Sequence, residues 1–115
     1  MPVGRLLVIA PDSDLRHSLV FALEAEGFEV TERAQLPSVD WAESNRFDCT
    51  VLDHKAVRGA KSESIAFCIK AAPVVLLASR PLQWLADFVA ETVETPVIGN
   101  ALLVAVRLAI HLPTA

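Results

Sequence analysis

The 115-residue sequence predicts an α/β domain built as a doubly wound, five-stranded parallel sheet, (βα)5, with helices on both faces. Three observations carry this. Short continuous apolar runs at 5–10 (RLLVIA), 48–53 (DCTVLD) and 74–78 (VVLLA) have the pattern of strands buried on both faces. The stretches between them place apolar side chains at helical spacing. Strand and helix then alternate five times, and short crossovers through helices dictate a parallel, doubly covered sheet.

The elements follow in order. Pro11 ends the first run, and Asp12 or Ser13 caps a helix whose core positions are Leu15, Leu19, Ala22 and Leu23. Gly27 stops that helix, and residues 28–32 alternate apolar with polar like an edge strand. A weak helix over 37–44 is anchored by Val39 and Trp41. The strand at 48–53 leads into a polar loop through Gly59, and 62–71 is helical with Ile65, Phe67, Cys68 and Ile69 apolar. Pro73 introduces the strand at 74–78. Pro81 suits a first helical position, and Leu82, Leu85, Phe88 and Val89 give a helical stripe running to Glu91. Residues 95–98 form the last strand, and Asn100 caps a final helix over 101–111.

Composition bounds the function. The chain reads as one unit, 1–115, with 53% apolar and 21% charged residues, which excludes a disordered segment. No run reaches the length of a membrane span, and the start, Met-Pro-Val-Gly-Arg, lacks a signal-peptide layout. Cys49 and Cys68 sit in apolar surroundings and read as buried thiols of a reducing, cytoplasmic compartment. A net charge of −4 without a Lys/Arg cluster argues against direct nucleic-acid binding. No glycine-rich phosphate loop, nucleophile elbow or metal cluster is present, so an enzyme is not expected. The apolar share is high for a domain of this size, and part of it is expected on the surface.

Ligands of such sheets sit at the carboxyl ends of the strands. There the sequence places Ala10, Pro11 and Asp12, then Asp53 and His54, then Ala78, Ser79 and Arg80, and finally 98–100. Asp12 and Asp53 end the first and third strands and, as neighbours, suit a shared Mg²⁺ or an aspartyl-phosphate role. The alternative is that Asp12 only caps a helix and Asp53 only starts a loop. His54 is placed to modulate access to Asp53.

The chain resembles a receiver domain of bacterial two-component signalling, of the response-regulator (CheY-like) superfamily and flavodoxin-like fold, over nearly its whole length. The stretch LVIAPDSDLRHSLVFALEAEGFEV resembles the family's first strand, first helix and second strand. FDCTVLD resembles the strand ending in the phosphoacceptor, which puts that role on Asp53, and PVVLLASR resembles the fourth strand and switch region, with Ala78 and Ser79 at the switch.

The departures imply a degenerate member. The adjacent acids that bind Mg²⁺ in the family are replaced by Ala10 and Pro11, leaving Asp12 one residue further on, so no cofactor is expected and Mg²⁺ only weakly at Asp12 and Asp53. Ala78 takes the place of the hydroxyl residue, with Ser79 beside it. The fifth-strand Lys-Pro pair falls on Thr95-Pro96 or Gly99-Asn100, and in either case the lysine is missing, since Lys55, Lys61 and Lys70 are the only lysines. The loop after Asp53 lacks the usual proline, and the segment between fourth and fifth strands is short. Without a metal and a cation, the electrostatic part of phosphoryl transfer is lost.

A binding role is therefore expected. The last helix carries one cation, Arg107, across 101–110, and Leu103, Val104, Val106, Arg107 and Ile110 form the expected partner or dimer face. His17, Val20 and Phe21 on the first helix form a second expected docking surface. The resemblance implies as partners a histidine kinase, a phosphotransfer protein or a flanking signalling domain, together with a homodimer. The remaining alternatives are a working receiver phosphorylated on Asp53, or a nucleotide or small-ligand module using Arg58 and Arg80.

Overall fold

The computed structural model describes residues 3–57, 61–80 and 82–111. Its five strands, β1 (Arg5–Ile9), β2 (Glu29–Arg33), β3 (Cys49–Asp53), β4 (Val74–Ala78) and β5 (Glu91–Glu94), form a single sheet in the order β2-β1-β3-β4-β5. Every pairing is parallel. The helices are α1 (Ser13–Glu24), α2 (Val39–Ser44), α3 (Lys61–Lys70), α4 (Gln83–Ala86) and α5 (Ala101–His111), with a short 3₁₀ helix at His54–Ala56. The expected fold class is the observed one.

The central strands are mostly apolar, Arg5, Thr50 and Asp53 aside, because alternate residues feed two different cores. Leu6, Val8, Val51, Val75 and Leu77 pack with Leu19 and Leu23 of α1 and Leu102 and Val106 of α5. Leu7, Ile9, Leu52 and Leu76 pack on the opposite face with Phe67 and Cys68 of α3, Ala42 of α2 and Leu85 of α4. Strands at the edges need less apolar content, and β2 is half-buried at its three central residues and exposed at both ends.

Local signals set most boundaries. The Asp12 carboxylate accepts from the Asp14 and Leu15 amides and caps α1. Gly27 follows α1 at φ 95°, in the left-handed region, where an added Cβ would also sit 3.0 Å from Val3 Cγ2. Ser38 caps α2 by accepting from the Trp41 amide.

Several expectations are corrected. Ala22 is exposed, and Val20 instead packs against the core. In α2 the buried residue is Ala42, with Trp41 half-buried and stacked on Phe47 at 5.9 Å between ring centroids. Ile69 of α3 is exposed. The largest change lies between β4 and α5. The helix expected to reach Glu91 is the single turn α4, and the strand expected at 95–98 is β5, four residues earlier. Pro96 has no N–H for a ladder, whereas Ala90 N donates to Val74 O and Thr95 N to Ala78 O, bracketing β5 against β4. Pro81, expected at the first helical position, lies outside the described residues.

Candidate functional site

The carboxyl ends of β1, β3, β4 and β5 meet at one rim of the sheet. Asp53 closes β3 opposite Leu77 of β4 and is only 2% exposed. Its Oδ1 accepts from the Lys55 amide at 3.5 Å, capping the 3₁₀ helix, and lies 3.3 Å from His54 Nδ1. Its Oδ2 is buried without a hydrogen-bond partner. His54 Nδ1 is also 3.1 Å from the Leu77 carbonyl. A carbonyl oxygen only accepts, so the tautomer with its proton on Nδ1 donates here and ties the end of β3 to β4. His54 thus covers one side of the carboxylate it follows in sequence.

The neighbouring strand end is built without carboxylates. Ala10 is fully buried, its amide donating to Arg33 O and its carbonyl accepting from Arg16 Nη1 at 2.9 Å. The same guanidinium, through Nε, meets Glu32 Oε1 at 2.9 Å. Arg16 therefore binds α1, the end of β1 and β2 into one unit. Sequence reasoning missed this role, because it depends on β1–β2 register; the only signal was the Leu15-Arg16 pair within the resembling stretch.

Asp12 is exposed, and its Oδ1 is taken up by the α1 cap. The structure thus gives Asp12 its capping role and Asp53 a capping role as well. Among the described residues no group of three or more His, Cys, Asp or Glu side chains gathers to hold a metal ion. Mg²⁺ needs several oxygen ligands. Asp53 Oδ2 is buried beside Ala10 and Pro11, which supply no carboxylate, and Asp12 is exposed in its cap, so the described residues fit the ion poorly.

At β4, Ala78 is buried and Ser79 is exposed beyond it. At β5 the strand ends on Glu94, and Thr95-Pro96 follow it directly. Arg80 is exposed and Arg58 lies outside the described residues. Beside this rim a cavity of about 780 Å³ is lined by 34–39, Pro11, Ala56 and Glu63. Its described lining carries a carboxylate and no cation, a poor match for a phosphate group.

The expected interaction faces are redrawn by burial. Val106 is fully buried in the core of α5, and Leu103 and Ile110 are half-buried against the same core. Arg107 is exposed and lies 3.7 Å from Glu26 at the end of α1. The apolar side chains that remain outward are Val104 and Leu108, with Ile98 just before the helix. On α1, Phe21 is 78% exposed, and His17 sits 3.6 Å from Glu32. Val20 faces inward and leaves that surface smaller than expected. Both thiols are free and buried; burial pushes Cys49 up to about 12 and Cys68 up to about 11, so neither is a thiolate ligand or nucleophile near neutral pH. No described helix is long and apolar enough to cross a membrane.

A scan of protein-family models finds no match, and a search of curated proteins finds none. Solved structures do match. The chemotaxis protein CheY4 of Vibrio cholerae superposes with a TM-score of 0.73 at 18% identity, over 92% of this chain and 98% of that one. A response regulator receiver domain protein from Clostridium thermocellum gives 0.70 at 20% identity, over 94% of each chain. A CheY-like receiver domain protein from Methanospirillum hungatei gives 0.74 at 19% identity, over 92% of each. The chain therefore has the receiver-domain fold.

Proposed function

We propose that this chain is a receiver-like signalling domain of a two-component (phosphorelay) system that is degenerate: it acts by protein–protein contact rather than by efficient Mg²⁺-dependent phosphorylation of Asp53. One observation carries the reading. The carboxylate at the phosphoacceptor position is enclosed, with Oδ1 engaged by the Lys55 amide and His54 and Oδ2 buried. A phosphoryl donor has to reach a carboxylate oxygen in line, with its charge neutralised by a metal and a cation. Ala10, Pro11 and Ala78 stand where the metal ligands and the hydroxyl belong in the resembling family. The domain is then not an enzyme and needs no cofactor. Its partners are a histidine kinase, a phosphotransfer protein or a flanking signalling domain, with a homodimer as a further form of contact, and its place is the cytoplasm.

Amide NMR of the chain, titrated with Mg²⁺ and then beryllofluoride, tests this directly. The expected result is no saturable shift around Asp53 with either. Specific shifts there that Asp53→Asn removes would establish the other reading, a working receiver phosphorylated on Asp53. A shift on adding nucleotides instead, mapped to the strand ends, would favour a ligand-binding module.

A further inference from the structure

The sheet ends on β2, which pairs with β1 alone. Glu29 N donates to Gly4 O, and Arg33 O accepts from Ala10 N. Backbone groups alternate sides along a strand, so residues 29, 31 and 33 direct theirs to β1, and Val30 and Glu32 turn their N–H and C=O outward. The outward Glu32 carbonyl accepts from Arg33 Nη1 at 3.1 Å and keeps a second lone pair. The side chains of Glu29, Thr31 and Arg33 share one face of the strand. They carry a negative charge at its start, a positive charge at its end and a hydroxyl midway, with both charged residues exposed. Over the other face, His17 of α1 stands 3.6 Å from Glu32. Phe21 follows His17 by four residues, so the most exposed aromatic ring of α1 shares that flank.

We propose that β2 pairs antiparallel with β2 of a second copy about a two-fold axis at Thr31, so that the two sheets join edge to edge. The inference rests on the contact reading above and gives its homodimer a surface. In this register Val30 lies opposite the partner's Glu32, and the outward N–H and C=O of each meet those of the other. Thr31 faces its own copy. Glu29 stands opposite the partner's Arg33, and Arg33 opposite the partner's Glu29, so every charge on that face meets its opposite. Moving the axis by one residue removes both ion pairs. Centred on Val30 it sets Glu29 against Thr31, and centred on Glu32 it brings the two Glu32 carboxylates face to face. In the Thr31 register those carboxylates are only diagonal to each other, and each is held by its own Arg16 at 2.9 Å. Arg5, 3.8 Å from Glu29, and the Trp41 ring, 5.0 Å from Arg33, flank the two charges on the same face. A foreign strand of uniform charge would match one end of β2 and oppose the other, which selects a second copy as the occupant. The same axis turns the Phe21 flanks of the two α1 helices toward each other and adds apolar surface to the joint.

Sedimentation equilibrium of the whole chain over a wide concentration range tests the pairing. The parent is expected to be a reversible dimer. Glu29→Arg and Arg33→Glu are each expected to weaken it about tenfold, because like charges then face each other at both ends. The double swap Glu29→Arg/Arg33→Glu restores opposite charges and is expected to restore the dimer. An equimolar mixture of the two single variants is expected to recover it as well, since each copy then offers the charge that the other lacks. Both side chains are exposed, and urea unfolding verifies the fold of each variant. In the parent chain itself, NMR on mixed labelled and unlabelled copies is expected to show Thr31 Hα against the partner's Thr31 Hα, the close contact of a pair that exchanges no hydrogen bonds. The proposal fails if the parent stays monomeric, if its dimer ignores both reversals, or if the mixture does not recover. It also fails if assembly grows past the dimer, the sign of head-to-tail joining, or if the dimer contacts map to α5. The Mg²⁺ and beryllofluoride response at Asp53, read on the same samples, reports on the contact reading separately.

Discussion

Asp53 is a carboxylate 2% exposed, and its environment supplies a backbone amide and an imidazole to one oxygen and no hydrogen bond to the other. Burying a charged group with an unmet acceptor is costly, whereas a neutral amide of the same shape keeps Oδ1 as an acceptor for the Lys55 N–H. Asp53→Asn is therefore expected to stabilise the fold by about 1 kcal/mol, read as a higher urea midpoint at unchanged slope. A lower midpoint would mean that the charge itself is held in place. Of the rim residues, sequence alone exposed the identities, Ala10, Pro11 and Ala78, and that Lys55, Lys61 and Lys70 are the only lysines. It did not expose the contacts that hold the rim together. Arg16 reaches Ala10 O and Glu32 only because β1 pairs with β2 in the register Ile9↔Arg33, and no local pattern encodes that contact.

Helix and strand patterns were legible wherever two cores make their demands on one run. β1, β3 and β4 are apolar at every interior position except Thr50, whose hydroxyl donates to Ala71 O, because each alternately feeds the α1/α5 and the α2/α3/α4 face. The stretch from Leu82 to Ile98 lacks such constraints. Its apolar residues fit a helix to Glu91, yet only Gln83–Ala86 is helical, and β5 begins where that helix was expected to end. Edge position and a four-residue length leave β5 little apolar content of its own, and Val93 alone is buried in it. In α5 the difficulty is rotational: a helix apolar nearly all round does not announce which side faces in. The structure turns Leu102, Ala105, Val106 and Ala109 inward and Val104 and Leu108 outward. Val106→Ala is therefore expected to cost about 2 kcal/mol through lost burial and a residual cavity, while Val104→Ser changes stability by less than about 0.5 kcal/mol. Denaturant unfolding of the two variants side by side separates these orientations, and equal effects would mean that α5 is turned otherwise.

The molecule as a whole is a sheet enclosed on both sides, and each face holds one thiol: Cys49 in the α1/α5 core and Cys68 in the α2/α3/α4 core. Burial raises both, Cys49 from 9.0 to about 12 and Cys68 from 9.0 to about 11. In the native chain each thiol keeps its proton at pH values where the unfolded chain has lost it. A raised folded-state pKa contributes stability that is complete below the unfolded value and disappears as pH climbs through the folded one. Stability is therefore expected to hold up to pH 9, to fall from there through about 11 as Cys68 is outrun, and to keep falling to about 12 for Cys49. The steepest loss is up to about 1.4 kcal/mol per pH unit for each thiol. The sequence contains no Tyr, so no phenol competes for the same window. Urea unfolding at a series of alkaline pH values should show this decline in the parent chain and a flatter one in Cys49→Ala/Cys68→Ala, whatever the baseline cost of the two truncations. An equal slope in both chains would mean that the thiols are reached by solvent before the sheet opens, and that its two faces are less tightly closed than their packing indicates.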